Sequence, residues 1–108
     1  MAKESDFQAK VIKQLKAMGL AVVKNQAGPG VPTGFPDLSW WYKSKYGFLD
    51  VKRSQKASFR PRQKEWLEQL RSWGYARVVF PENYDIIKEE ILLIVKEEDA
   101  KKETKMEE

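Results

Sequence analysis

Apolar residues first recur at helical spacing at Phe7, Val11, Leu15 and Met18. This predicts a helix opened by a capping box of Ser5 and Gln8 and closed by Gly19 in a left-handed cap. Residues 20–25 are short, apolar and rich in β-branched side chains, a first strand. The stretch 26–36 holds three Gly and three Pro from Gly28 onward, so an irregular loop is expected there. Residues 38–42 and 47–53 predict two strands joined by the polar 43–46 connection, a hairpin with its turn near Ser44 and Lys45. Pro61 suits a first helical turn, and Gln63, Trp66, Leu67 and Leu70 then share one face until Gly74 stops the helix. A last strand follows over 75–80. Pro81, Glu82 and Asn83 lead into a final helix whose apolar face is Ile86, Ile87, Ile91, Leu92 and Ile94. The order α-β-β-β-α-β-α predicts an α/β fold with a small mixed sheet flanked by helices. The strand–helix–strand segment makes its two strands parallel neighbours.

With 108 residues, one small core is all the chain can build. The expected division is a single domain over 1–97 and a charged, disordered tail over 98–108. No apolar run is long enough to span a bilayer, so no membrane partner is expected. The N-terminus carries no apolar signal core, so a cytoplasmic location is expected. Cysteine and histidine are both absent. That removes disulfide frameworks, thiol nucleophiles, imidazole acid–base chemistry and ordinary zinc sites. Carboxylates, Lys, Ser, Thr and Tyr remain, and a metal held by them would be a hard, oxygen-seeking Mg²⁺ or Mn²⁺. The net charge of +4 conceals an asymmetry: residues 1–80 hold 15 Lys/Arg against 6 Asp/Glu, and residues 81–108 hold 5 against 10. Lys52, Arg53, Lys56, Arg60, Arg62 and Lys64 follow one another with no acid among them, the best candidate for contact with a polyanion.

The chemistry concentrates in Gly34-Phe35-Pro36-Asp37 followed thirteen residues later by Asp50-Val51-Lys52. Alternate side chains of a strand share a face, so Asp50 and Lys52 project together while Leu49 and Val51 point the other way. In a hairpin, Asp37 at the head of the neighbouring strand arrives beside Asp50. Two carboxylates held that closely repel, and a divalent cation between them offsets the repulsion. Lys52 is then placed to orient a water or to steady developing charge. An Asp-x-Lys in a strand is by itself an ordinary surface ion pair, and Pro-Asp an ordinary turn. Their combination at hairpin spacing, after a Gly/Pro loop and before a basic helix, is what makes the pattern specific. Gln63 shares a helical face with Trp66, Leu67 and Leu70, so its amide needs a polar partner if buried. On the first helix, Glu4 extends the apolar stripe and is favoured over Gln8 as a further polar group, since Gln8 has the capping-box explanation. Trp40, Trp41 and Tyr42 fit a core strand better than a base-stacking platform.

These residues resemble the signature of the PD-(D/E)XK nuclease superfamily, and more closely its VRR-NUC branch, over roughly residues 4–90. The resemblance rests on Glu4 and Gln8, Gly34-Phe35-Pro36-Asp37-Leu38, Asp50-Val51-Lys52, Arg60-Pro61-Arg62-Gln63 and Gly74-Tyr75-Ala76. It implies a restriction-endonuclease-like core, with Asp37, Asp50, Val51 and Glu4 about a Mg²⁺ or Mn²⁺ ion. Lys52 would act beside the attacking water, with Gln63 facing the site and Glu4 or Gln8 completing it from the first helix. Asp50 stands where that branch commonly has Glu. Lys24, Arg53, Lys56, Arg60 and Arg62 would then neutralise phosphates, and Asn25 and Gln26 would touch the DNA backbone. The implied activity is a metal-dependent DNA endonuclease, selective for branched DNA such as a Holliday junction or flap. It would act as a homodimer, since two cuts need two sites, in bacterial cytoplasm if phage-encoded. A catalytically silent nucleic-acid-binding protein of the same fold and a restriction-type endonuclease are the alternatives.

Overall fold

The computed structural model describes residues 4–26 and 28–107, with 102–107 by backbone alone. Residues 1–3, Ala27 and Glu108, which belong to the expected domain, loop and tail, lie outside the described residues. The elements are α1 (Glu4–Ala17), β1 (Ala21–Lys24), β2 (Leu38–Tyr42), β3 (Lys45–Val51), α2 (Gln63–Trp73), β4 (Tyr75–Val79) and α3 (Tyr84–Glu107). This is a mixed α/β fold in the expected order. The four strands form one sheet in sequence order, antiparallel from β1 to β3 and parallel between β3 and β4.

Periodicity assigns each strand residue to a face. Leu38, Trp40, Leu49, Val51 and Val79 pack against Phe7, Val11 and Leu15 of α1 and Tyr84, Ile87, Ile91 and Val95 of α3. Phe7 and Tyr84 meet edge to face at 5.6 Å and join the two helices. Ile87 and Ile91 lose all solvent contact, each contributing about 1.5–3 kcal/mol of burial. The opposite face is covered by α2, whose Leu67 and Leu70 lie with Ala76 beside Phe35, Phe48 and Trp66. Here the layer is incomplete, and Val23, Trp41 and Tyr46 of neighbouring strands remain 43–47% exposed. No helix among the described residues is long and apolar enough to cross a membrane.

Several local expectations are corrected. Ser5 lies inside α1 rather than capping it, because the helix already includes Glu4. Pro61 precedes α2, which begins at Gln63 behind Arg62 in a left-handed conformation (φ 68°). The hairpin turns at Lys43 and Ser44, since Tyr42 pairs with Lys45, and Lys43 takes the positive φ of 54°. Ile86 is 59% exposed, because the buried stripe of α3 runs through Tyr84, Ile87, Ile91 and Val95. Finally, α3 continues past residue 97, where the charged tail was expected. Its acids find partners on the hairpin turn: Asp99 accepts from Tyr42 Oη at 2.8 Å and pairs with Lys43, and Glu98 accepts from Ser44 Oγ at 2.6 Å.

Candidate active site

The register of β2 and β3 sets the site. Leu38 pairs with Leu49, so one step further along the antiparallel ladder Asp37 stands opposite Asp50. The turn position controls this. Moving it one residue onward, to Ser44 and Lys45, would shift every partner by two and set Asp37 across from Lys52 on the same face.

Asp37 is fixed by both flanks of its loop. Behind it, the Asn25 N–H donates to the Asp37 carbonyl at 2.7 Å, while Asn25 Nδ2 donates to the Pro36 carbonyl at 3.1 Å and to Ser39 Oγ at 2.8 Å. Ahead of it, Gly34 (φ 82°) lies so close to the start of α2 that a Cβ there would sit 2.5 Å from the Pro61 carbonyl. Only glycine fits that contact and that backbone region. The Asp37 carboxylate then accepts from the Val51 N–H through Oδ2 at 2.8 Å and from Arg60 Nη2 through Oδ1 at 3.0 Å.

Asp50 is fully buried. Its Oδ1 accepts from Gln63 Nε2 at 3.3 Å, whereas its Oδ2 is buried with no hydrogen-bond partner. Burial pushes its carboxyl up to about 7, the neighbouring Asp37 carboxylate adds to the rise, and Lys52 and Arg60 oppose it. Burial and the charge of Asp37 thus both oppose ionisation of Asp50.

Lys52 is buried beside it. Its Nζ donates to Gln63 Oε1 at 2.5 Å and to the Ser58 carbonyl at 3.1 Å, and lies 5.2 Å from the centre of the Phe59 ring. Gln63, also fully buried, is the connector. Its Oε1 accepts from Lys52 Nζ and from the Arg60 N–H at 2.5 Å, while its Nε2 reaches Asp50. The amide thereby has the polar partners that its place on an apolar helix face requires.

The structure brings Asp37, Asp50, Lys52 and Gln63 together, with Arg60 at the rim. In an extended strand the N–H and C=O of one residue point to the same edge. The Val51 carbonyl therefore lies on the β2-facing edge of β3, as its N–H does. Glu4 does not extend the buried stripe as expected: it is exposed in the first turn of α1, and Gln8 is the buried polar residue of that helix. Among the described residues no cluster of three or more acidic side chains is placed to hold a metal, so the carboxylate set is the pair alone. Lys24, Gln26, Arg53, Lys56, Arg60 and Arg62 are all exposed. Asn25 is not available in the same way, because its Nδ2 is committed to Pro36 and Ser39 and only its acceptor oxygen is left over, which has nothing to offer a phosphate.

A cleft of about 460 Å³ lined by Asn25, Thr33, Phe35, Asp37, Arg60 and Pro61 adjoins the pair. Sequence reasoning passed over Ser39, Ser58 and Phe59. Ser39 carries a faint signal, as the one small polar residue in Leu38-Ser39-Trp40-Trp41-Tyr42. Ser58 acts through its carbonyl and Phe59 through the fold of its loop, neither of which a residue type announces. No family model, no curated protein and no solved structure matches this chain.

Proposed function

We propose that this chain is a divalent-metal-dependent DNA endonuclease of the PD-(D/E)XK type, within the VRR-NUC branch that its motifs resemble. The observation carrying the reading is the Asp37–Asp50 pair, facing across one hairpin, with an unpartnered carboxylate oxygen in its interior and Lys52 on the same face. A buried carboxylate oxygen without a donor is costly to keep, and a cation satisfies it. The donors are all hard oxygens, which suits Mg²⁺ or Mn²⁺. Asp37, Asp50 and the Val51 carbonyl would hold the ion, with water in the remaining positions; exposed Glu4 is not needed.

When bound, such an ion lowers the pKa of a coordinated water and draws charge from a phosphoryl oxygen. The protein's own part is positional. Gln63 holds the Lys52 ammonium within the acid site, where it orients the attacking water and balances negative charge growing on phosphorus. Arg53, Lys56, Arg60, Arg62 and Lys24 are exposed cations near the loop and strand ends that frame the site, and contact phosphates without reading bases. Among the described residues no element has the form of a base-reading module, which favours recognition of DNA shape, and branched DNA is the substrate we assign. A homodimer would supply two sites for paired cuts, and the exposed Val23, Trp41 and Tyr46 row is apolar surface such a dimer would bury.

The test uses a labelled four-way junction, a flap and a plain duplex, each with Mg²⁺, Mn²⁺ or EDTA. The expected result is metal-dependent products, most from a branched substrate and none in EDTA. Binding without products in every metal would instead assign a non-catalytic DNA-binding protein. Light scattering coupled to size exclusion reads the dimer.

A further inference from the structure

The geometry points to Arg60 as an internal cation that occupies Asp37 until a divalent ion replaces it, and that is then released to a DNA phosphate, so that metal and DNA assist each other's binding. This rests on the metal-dependent reading above and concerns how the same site is regulated.

Three observations carry it. Arg60 Nη2 is paired with Asp37 Oδ1 at 3.0 Å, yet its side chain is 59% exposed. It therefore reaches into the acid pair from solvent and can leave without opening the core. Its backbone N–H is bonded to Gln63 Oε1 at 2.5 Å, which fixes the root of the side chain beside the site whichever partner the guanidinium takes. The pair it serves is incompletely neutralised: Arg60 reaches Asp37, the Val51 N–H reaches Asp37, and Asp50 Oδ2 is left with no donor.

A divalent ion between the two carboxylates supplies more positive charge than the guanidinium and reaches the oxygen that Arg60 does not. Once it is there, a second cation on Asp37 is repelled. The displaced guanidinium is a planar fork suited to phosphate oxygens, and it swings from a root already next to the site. Because each ligand favours the same released state of Arg60, the coupling must be reciprocal. Lys52 cannot play this part: it is buried and held by Gln63 and Ser58.

Mn²⁺ affinity, followed by loss of the free-ion electron paramagnetic resonance signal, tests the first half without turnover. Arg60→Gln should bind Mn²⁺ about 1.5-fold to fivefold more tightly than the wild type in the absence of DNA, the scale of a partly exposed ion pair. Arg60→Lys, which keeps the charge, should lie between the two. Fluorescence anisotropy of a labelled duplex at constant ionic strength tests the second half. Adding Ca²⁺ should strengthen DNA binding by the wild type more than by Arg60→Gln. Equal or weaker Mn²⁺ affinity in Arg60→Gln, or an undiminished Ca²⁺-dependent gain, overturns the exchange. Asp50→Asn separates the two levels of the argument. If the wild type takes up no Mn²⁺, or Asp50→Asn takes it up equally, the metal reading fails and this proposal with it. If uptake needs Asp50 but Arg60→Gln does not tighten it, the exchange alone fails.

Discussion

The two sides of one sheet are filled with different chemistry. Toward α1 and α3, strand β3 presents Leu49 and Val51, which join an apolar layer closed by Ile87 and Ile91. Toward α2, the same chain presents Asp50 and Lys52, which with Gln63 are as buried as their apolar neighbours. A period of two residues is all that separates the layer that holds the fold together from the layer that holds a charged network. The difference teaches where stability and chemistry reside. The first side gains free energy from the apolar side chains it buries and leaves one polar atom, Trp40 Nε1, without a partner among the described residues, whereas the second retains an unpaired carboxylate oxygen and an acid whose ionisation burial opposes. Groups kept at such a cost cluster at functional sites.

The largest effect that would sharpen this contrast is on cleavage. Lys52→Ala should lower the rate about 10²–10⁴-fold, the scale of a lost proton-transfer or electrostatic group, with DNA binding retained by anisotropy. Full activity in that variant would break the contrast by making the buried amine merely structural. On the apolar side, Ile87→Ala should cost about 2–5 kcal/mol in urea unfolding, by a similar amount at every pH from 5 to 8.

The acid side should behave differently. Because the Asp50 carboxyl titrates near 7 in the folded chain and well below that when unfolded, the native state holds the extra proton between these values. The contribution of this group to stability is therefore fully present at low pH and is lost as pH rises through about 7. Asp50→Asn should flatten that slope and be relatively more stable at pH 8 than at pH 5, which paired urea titrations would show. Mn²⁺ should restore part of the lost stability at pH 8 in the wild type and not in Asp50→Asn. The smallest effect is expected at the surface. Lys43→Ala removes an exposed partner of Asp99 and should leave the melting temperature nearly unchanged.

Much of this was legible in the sequence for physical reasons. Apolar periods of 3.6 and 2 give the element order, and the thirteen-residue interval between Asp37 and Asp50 follows from a two-residue hairpin turn. The exact turn was less legible, because Lys43, Ser44 and Lys45 are all polar and none carries the Gly or Asn that marks a positive φ. Glu4 and Gln8 both fall on the stripe of Phe7, Val11 and Leu15, and only the packing of α1 shows that burial ends before Glu4. The roles of Asn25 and Arg60 depend on how two irregular segments fold against Asp37, which local pattern does not encode. The acids after residue 97 look like a tail by composition. Their partners Tyr42, Lys43 and Ser44 lie more than fifty positions away in sequence.

The most direct test of the central claim is anomalous diffraction from crystals soaked in Mn²⁺. A single strong peak about 2.1 Å from carboxylate oxygens of both Asp37 and Asp50, absent from Asp50→Asn crystals, is the predicted result. A saturating soak that leaves the space between those two side chains empty, with Arg60 still on Asp37, would contradict it.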